Sequence, residues 1–171
     1  MKEVFIMNYF SIQKVDGDPQ IAQVAQLAET IWKEHFTPII GAAQVQYMLE
    51  KFQSVCALKQ QLQEGYEYYG IFLHEQLCGY CGIHPENNRL FLSKLYLKKE
   101  ARGQHLATKT FLFLKSLCKE RGLRSIWLTC NRNNSGSLAV YRHLGFQTVK
   151  EEKTDIGNGY FMDDYIMECS V

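Results

Sequence analysis

The segment from Leu95 to Ala107 constrains the fold more than any other part of this sequence. The apolar run that ends at Leu97 is typical of a buried strand. A short polar turn follows, and from Leu106 onward apolar residues recur at helical spacing. Residues 125–130 form another apolar run, so the pattern predicts a parallel β-α-β crossover. The chain must therefore build a sheet with at least one helix packed on its face.

Hydrophobic periodicity and turn residues predict the remaining elements. His74-Glu75 indicates a hairpin, Asp18-Pro19 is typical of a helix start, and Thr37-Pro38 predicts an end of that helix near His35. The predicted strands cover residues 9–15, 66–73, 76–84, 89–97, 125–130, 146–154 and 160–169, and the predicted helices cover 19–35, 42–62 with a kink near 54, 104–121 and 135–144. This order predicts one α/β (α+β) domain over residues 1–171, with a mixed, mostly antiparallel twisted sheet of about seven strands and about four helices.

Composition and charge exclude several classes of protein. The chain has 171 residues, of which 46% are hydrophobic and 22% charged, and its formal charge of +1 creates no overall field that favours nucleic acid or an anionic membrane. The apolar run Val4–Met7 is shorter than a signal-peptide core, and no stretch of the sequence reaches membrane-spanning length. We therefore expect a cytoplasmic protein whose partner is a small molecule, with no nucleic acid and no membrane involved.

The residue types that bind metals are scattered along the chain. Of six cysteines, Cys78 and Cys81 have the spacing of a metal or redox pair. They fall within a predicted strand, where residues three apart point to opposite faces, so their sulfurs are not expected to share one metal ion or one disulfide. None of the five histidines has a second metal-type residue at ligand spacing. We predict no metal site.

The turn before the third predicted helix has the features of an anion site. The first N–H groups of a helix lack intrahelical partners, and the helix dipole places partial positive charge there. Gly103 lets the backbone approach a ligand closely, and Arg102 supplies a charge-assisted hydrogen bond. The segment indicates a phosphate-bearing cofactor on the amides of Gln104, His105, Leu106 and Ala107. An ordinary strand-to-helix turn with a surface arginine explains the same spacing equally well.

A second motif makes this interpretation more specific. Residues 134–146, Asn-Ser-Gly-Ser-Leu-Ala-Val-Tyr-Arg-His-Leu-Gly-Phe, taken together with Arg-Gly-Gln-His-Leu-Ala at 102–107, resemble the GCN5-related N-acetyltransferase (GNAT) superfamily. The resemblance covers residues 90–147 closely, and the predicted element order is also that of the family. It implies that acetyl-CoA is the co-substrate and that its pyrophosphate binds the amides of 102–107. His105 departs from the family pattern, which usually has glycine there; a right-handed helical backbone would accommodate its side chain.

The same resemblance implies roles for individual residues. Leu95, Tyr96 and Leu97 would supply strand backbone groups to the pantetheine arm, with one amide polarising the thioester carbonyl. Asn134 would lie near the pantetheine, although a plain helix N-cap accounts for it as well. Tyr141 would be the catalytic general acid that protonates the leaving thiolate, and the alternative is a core tyrosine that faces the sheet.

The general base is not evident from the sequence. Members of the family often have a glutamate on the strand before the cofactor turn, where this chain has Ser93 and Lys94. Glu34, His35, His84 or a chain of water molecules are the alternatives.

A weaker resemblance concerns the acceptor. Residues 30–36 and the layout of the two N-terminal helices are similar to the bacterial spermidine/spermine N-acetyltransferases, and the acidic strand 163–168 would help to hold a cation. The leading expectation is direct attack of a small, polyamine-like primary amine on the acetyl-CoA thioester. A peptide or protein N-acetyltransferase and a non-enzymatic CoA-binding module are the alternatives. Members of the family often form homodimers, so a homodimer is a further expectation from the resemblance.

Overall fold

The strands of the computed structural model form one sheet, and the structure describes residues 4–7 and 9–171, with side chains from residue 9 onward. In these residues the strands are β1 (Val4–Met7), β2 (Phe10–Lys14), β3 (Glu67–Leu73), β4 (Gln76–Glu86), β5 (Arg89–Leu97), β6 (Ser125–Asn131), β7 (Gln147–Gly157) and β8 (Tyr160–Ser170). Their order is β1-β2-β3-β4-β5-β6-β8-β7, and only β5 and β6 are parallel neighbours. The mixed, mostly antiparallel fold is confirmed; β1, which pairs with β2, is the strand that the sequence pattern does not predict.

Helices cover both faces of this sheet. They are α1 (Asp18–Ile40), α2 (Ala42–Met48), α3 (Val55–Gln63), α4 (Leu106–Arg121) and α5 (Ser135–His143). The first three pack on one face around a cluster that includes Ile31, Val45 and Leu58. The last two pack on the other face, where Phe111 and Leu138 join a second cluster. None of the helices in the described part of the chain has the length and apolar character needed to cross a membrane.

The first helix is longer than the sequence predicts. Thr37-Pro38 predicts an end near His35, yet α1 continues through Pro38 to Ile40. A proline has no N–H group, so one backbone hydrogen bond of the helix is lost. Buried side chains on α1, among them Trp32 and Phe36, pack against the sheet and offset this loss. The helix ends at Gly41, whose φ of +85° lies in the left-handed region.

The second predicted helix is divided into three segments. After α2, a π-helical segment covers Leu49–Gln53, and Ser54 then adopts an extended conformation before α3. The Ser54 hydroxyl accepts a hydrogen bond from the Ala57 N–H at 3.2 Å, as an N-cap does. The kink predicted near Ser54 is confirmed.

A bulge in β5 decides which side chains reach each face of the sheet. Gly82 of β4 lies opposite Lys94 and Ile83 lies opposite Leu92, so Ser93 is an extra residue without a partner. Leu92 packs in the core beneath α4, whereas Tyr96 packs with the α1–α3 side. Without the extra residue, strand alternation would place Tyr96 beneath α4.

A second bulge changes the environment of two cysteines. Cys78 is the extra residue between the pairs Ile71 with Gly79 and Phe72 with Leu77. Cys78 and Cys81 consequently pack in the same core beneath α4 rather than on opposite faces, and both are free thiols. No group of three or more His, Cys, Asp or Glu side chains among the described residues is arranged to hold a metal ion.

Strands β5 and β6 separate soon after they begin to pair. Their parallel pairing covers only Arg89 with Ser125, Leu90 with Ile126 and Phe91 with Trp127. Beyond this point β5 remains paired with β4, and β6 remains paired with β8. The sheet therefore opens into a wedge between the C-terminal halves of β5 and β6.

Candidate functional site

The wedge between β5 and β6 is part of a cleft of about 1210 Å³ that extends to the α1–α3 side. Most of the site residues that the sequence predicts line this cleft: Leu95, Tyr96, Leu97, Arg102, Gly103, His105, Leu106, Ala107, Asn134 and Tyr141. Gln104 lies outside the lining, and its side-chain amide donates to the Glu100 carbonyl at 3.2 Å. Folding thus brings the two sequence motifs to one cavity.

The turn before α4 presents a row of free backbone amides to the cleft. α4 begins at Leu106, two residues later than predicted, and its first backbone bond runs from the Lys109 N–H to the His105 carbonyl at 3.0 Å. The N–H groups of residues 103–108 donate to no residue in the part of the chain that the structure describes. Several converging amides at a helix N-terminus are suited to a phosphate.

His105 has an unusual backbone conformation. A right-handed helical backbone is the condition under which its side chain is expected to fit this turn, but His105 has φ of +60° and ψ of 22°, in the left-handed region. A residue with a Cβ atom pays roughly 1–2 kcal/mol there, which explains why glycine is usual at this position in the family. Gly103 also has a positive φ, of +73°, and left-handed residues in a turn are typical of backbone arrangements that bind anions.

Arg102 ties this turn to the end of β5. Its Nε and Nη2 atoms both donate to the Leu97 carbonyl, at 3.2 Å each. An arginine has five N–H donors, so the guanidinium has others for an anion in the cleft. The contact holds the positive charge beside the row of free amides.

Strand alternation determines which backbone groups of β5 face the wedge. The Lys98 N–H donates to the Cys78 carbonyl of β4 at 2.8 Å, so the backbone groups of Tyr96 also point toward β4. Those of Leu95 and Leu97 point to the opposite edge, where β6 has separated. Leu95 and Leu97 therefore offer free amides, whereas Tyr96 contributes its ring.

Tyr141 lies on α5 and faces the cleft. Its ring makes an edge contact with Phe146, with 5.6 Å between ring centroids, and its hydroxyl makes no hydrogen bond with a described residue. Burial first, and then the Cys130 thiol, raise the pKa of this phenol well above its ordinary value. Tyr141 therefore keeps its proton throughout the physiological pH range, and the same shift makes the phenol a weaker acid than an ordinary tyrosine.

Asn134 connects the two sides of the cleft. It occupies the N-cap position of α5, but its side chain does not cap the helix. Instead its Oδ1 atom lies 3.1 Å from Nε2 of His35 on α1. Asn134 is only 6% exposed, and His35 is half-buried.

The candidate bases named from the sequence have different locations. Glu34 lies at the surface, 3.9 Å from Lys99, and His84 stacks on Tyr66; neither lines the cleft. His35 does line it, with Nε2 engaged by Asn134.

Asp164 of β8 is not predicted individually as a site residue, although the sequence predicts that the acidic strand 163–168 helps to hold a cation. It lines the cleft, is 7% exposed, and has no hydrogen bond or ion pair with any of the described residues. Burial, and then repulsion from Asp163 and Glu152, raise the pKa of its carboxyl to about 6. The alternation of β8 is visible in the sequence, but which of its two faces meets the cleft is not.

Lys94 is the second unselected residue. It is 6% exposed, lines the cleft, and donates from Nζ to Gln61 Oε1 at 2.6 Å and to the Tyr68 hydroxyl. Burial lowers the pKa of this amine to about 7. The cleft therefore contains two buried ionisable side chains of opposite sign.

The fold and this cleft define a class of protein. The sequence model of the acetyltransferase (GNAT) family matches residues 25–146, and the chain belongs to that family. A Bacillus subtilis (strain 168) protein named as a ribosomal protein bS18-alanine N-acetyltransferase is 30% identical over 87 residues, which are 50% of this chain and 58% of that protein. The uncharacterized N-acetyltransferase YjgM of Escherichia coli (strain K12) is 29% identical over 91 residues, which are 51% of this chain and 54% of that protein.

The chain thus spans little more than half the length of these curated relatives. Among solved structures, the PaiA N-acetyltransferase from Thermoplasma acidophilum, in complex with coenzyme A, is similar with a TM-score of 0.78. The two share 22% identity over 95% of this chain and 99% of that one. This likeness shows a common fold.

Proposed function

We propose that this chain is an acetyl-CoA-dependent N-acetyltransferase that transfers the acetyl group to a small primary amine, by direct attack of the amine on the thioester. One observation carries the proposal: the N–H groups of residues 103–108 donate to no residue that the structure describes, and all of these residues except Gln104 line the cleft. A diphosphate would satisfy these amides, and the helix dipole would add about 0.3–1 kcal/mol. Membership of the acetyltransferase family supports the same ligand.

The wedge has the groups that acyl transfer requires. Acetyl-CoA supplies an activated acyl group as a thioester. The free N–H groups of Leu95 and Leu97 lie on the open edge of β5, where they can donate to an oxygen that becomes negative as the amine attacks. Arg102 and the amides of the turn would hold the phosphates at the other end of the cleft.

Two residues are assigned to proton transfer. An amine must lose a proton to attack, and Asp164, whose pKa of about 6 makes it a stronger base than an ordinary aspartate, accepts it. Tyr141, which burial keeps protonated, donates a proton to the departing sulfur. Both side chains line the same cleft.

Thermal unfolding and thiol release test this function. Acetyl-CoA at 100 times Kd is expected to stabilise the chain by about 2.7 kcal/mol, and acetyl transfer to a panel of amines, polyamines included, should release CoA. Tyr141→Phe should lower kcat by about 10²–10⁴-fold and keep the stabilisation, because it removes only the hydroxyl. Tyr9→Phe, which removes a hydroxyl from a residue that is 75% exposed, is the matched control.

Two results would contradict the proposal. Failure of acetyl-CoA to shift the melting temperature would exclude the cofactor site. A clear shift without thiol release for any acceptor would favour a non-enzymatic CoA-binding module.

Transfer to a peptide or protein N-terminus is the second candidate function. It is favoured by the Bacillus subtilis relative, which is named for acetylation of an alanine in a ribosomal protein. Peptides included in the same panel decide between the two functions, since a peptide acetyltransferase would turn them over faster than any small amine.

A further inference from the structure

We propose that the acceptor is a primary amine that also carries a carboxylate, an amino acid rather than a polyamine, with Lys94 and Gln53 binding the carboxylate and Asp164 binding the amine. The proposal rests on the acetyltransferase function proposed above and names its substrate class. It follows from the charges in the α1–α3 side of the cleft.

Lys94 is a buried amine with no carboxylate partner among the described side chains. Its partners, Gln61 and Tyr68, are neutral acceptors, and no carboxylate among the described side chains lies within ion-pair distance of it. A lysine ammonium has three N–H donors, so one is left over. Buried charges in proteins are normally paired. The anion that pairs with Lys94 is therefore expected to enter with the substrate.

Gln53 supplies a second donor on the same side of the sheet. It is 3% exposed, lines the cleft, and accepts a hydrogen bond at Oε1 from the Tyr80 hydroxyl at 3.0 Å. Its Nε2 atom donates to nothing in the described chain, although Gln53 is almost fully buried. Tyr80 and Tyr68, the partners of Gln53 and Lys94, are diagonal neighbours on β4 and β3, a spacing of about 7–8 Å between backbones. The remaining N–H of Lys94 and the Nε2 group of Gln53, which have no acceptor among the described residues, suit a carboxylate.

Asp164 provides the opposite charge on another wall. Its carboxylate has no partner within the described residues, and it lies close enough to Tyr96 to contribute, after burial, to the raised pKa of that phenol. Tyr96 is two residues from Lys94 on the same face of β5. Both charged side chains therefore neighbour Tyr96, Lys94 along β5 and Asp164 from β8, and a zwitterion would satisfy both.

The wall between the two charges is aromatic. The ring of Tyr96 lies 5.4 Å from that of Trp32 and 5.9 Å from that of Phe36, centroid to centroid. Such rings accommodate the carbon skeleton of an amino acid and the face of an ammonium group. A polyamine would instead bring additional positive charges toward Lys94, where like charges repel.

Paired acceptors test the proposal directly. We compare kcat/KM for L-phenylalanine with L-phenylalaninamide, and for 4-aminobutyrate with butylamine, beside spermidine and an N-terminal peptide. The wild type is expected to prefer the carboxylate member of at least one pair by tenfold or more. Lys94→Met should bring the ratio of kcat/KM for the acid to kcat/KM for its uncharged partner close to one, mainly by raising KM for the acid. Lys94→Gln should also lower this ratio. Lys99→Met, which removes an exposed cation outside the cleft, should leave the ratio unchanged.

The melting temperature of the CoA complex with each acceptor is the second readout, because it reports binding without turnover. A wild type that prefers the amide, the plain amine, spermidine or the peptide overturns the proposal, as does a ratio that Lys94→Met does not change. Selective stabilisation by the acid without thiol release would support the binding site and contradict only the proposed activity.

Discussion

Asp163 and Asp164 are neighbours in sequence with different environments. Asp163 pairs with Arg132 at 2.9 Å, and its side chain is 41% exposed, whereas Asp164 is buried in the cleft wall and pairs with none of the described residues. Successive residues of β8 point to opposite faces, and this places one carboxylate in water and the other in the cleft. The chemical difference between them is therefore produced by burial and not by residue type.

The pH dependence of the reaction is expected to report Asp164. Because its pKa is about 6, kcat/KM should fall on an acidic limb near pH 6, as the carboxyl becomes protonated and can no longer accept the amine proton. Asp164→Asn should lower kcat/KM at pH 8 by about 10²–10⁴-fold and abolish the limb. Asp163→Asn should retain the acidic limb of the kcat/KM profile. An unchanged profile in Asp164→Asn would assign the proton transfer to another group.

At the scale of elements, α4 is joined to β3 by a charged contact far from the cleft. Arg121, in the last turn of α4, donates to both carboxylate oxygens of Glu67 at 2.6 and 3.0 Å. The Tyr69 hydroxyl donates to the same carboxylate at 2.8 Å, and Lys14 lies 3.4 Å away. Burial alone would raise the pKa of Glu67, but these hydrogen bonds and charges lower it to about 2. The C-terminal end of α4 is thereby held to the sheet.

This contact predicts a pH-dependent loss of stability. The pKa of Glu67 is lowered in the folded chain. Its contribution to the free energy of unfolding is therefore complete above pH 4.5 and disappears as the pH falls toward 2. Glu67→Gln should lower the free energy of unfolding by about 1–3 kcal/mol at pH 7 in urea titrations, and the difference should vanish near pH 2. Glu29→Gln, which breaks an exposed pair with Lys33, should cost only about 0.3–0.5 kcal/mol. Equal effects of the two variants at pH 7 would contradict this role for Glu67.

For the molecule as a whole, the open cleft lowers the stability of the ligand-free chain. Lys94 is taken out of water with no carboxylate partner among the described residues, and its pKa falls from an ordinary 10.5 to about 7. The unfolded chain therefore binds one more proton between these values. The resulting destabilisation is complete below pH 7 and disappears as the pH approaches 10.5.

Removing this charge should stabilise the ligand-free protein. Lys94→Met is expected to raise the free energy of unfolding by about 1–3 kcal/mol at pH 6, partly offset by the lost bonds to Gln61 and Tyr68, with a smaller gain at pH 10. Thermal unfolding at both pH values measures the difference. A variant that is less stable than the wild type at both would show that Lys94 is a structural tie between α3 and the sheet.

The elements of this protein are largely determined by local sequence. Apolar periodicity predicts the hairpin at His74-Glu75, the crossover helix and the parallel strand that follows it, because the patterns of period two and 3.6 act within a few residues. The turn at 102–107 and the helix at 135–144 are likewise found as motifs, since the anion affinity of a helix N-terminus is a local property. The sequence alone does not predict that α1 passes through Pro38, because packing against the sheet sustains it.

Tertiary structure decides the chemistry of the cleft. One extra residue in β5, Ser93, turns Lys94 and Tyr96 toward the α1–α3 side of the sheet, and the left-handed backbone of His105 shapes the amides of the turn. Burial, and then repulsion from Asp163 and Glu152, raise the pKa of Asp164. Groups that are distant in the chain decide which face of a strand meets the cleft and what pKa a buried side chain has. These properties therefore arise only when the sheet and its helices have assembled.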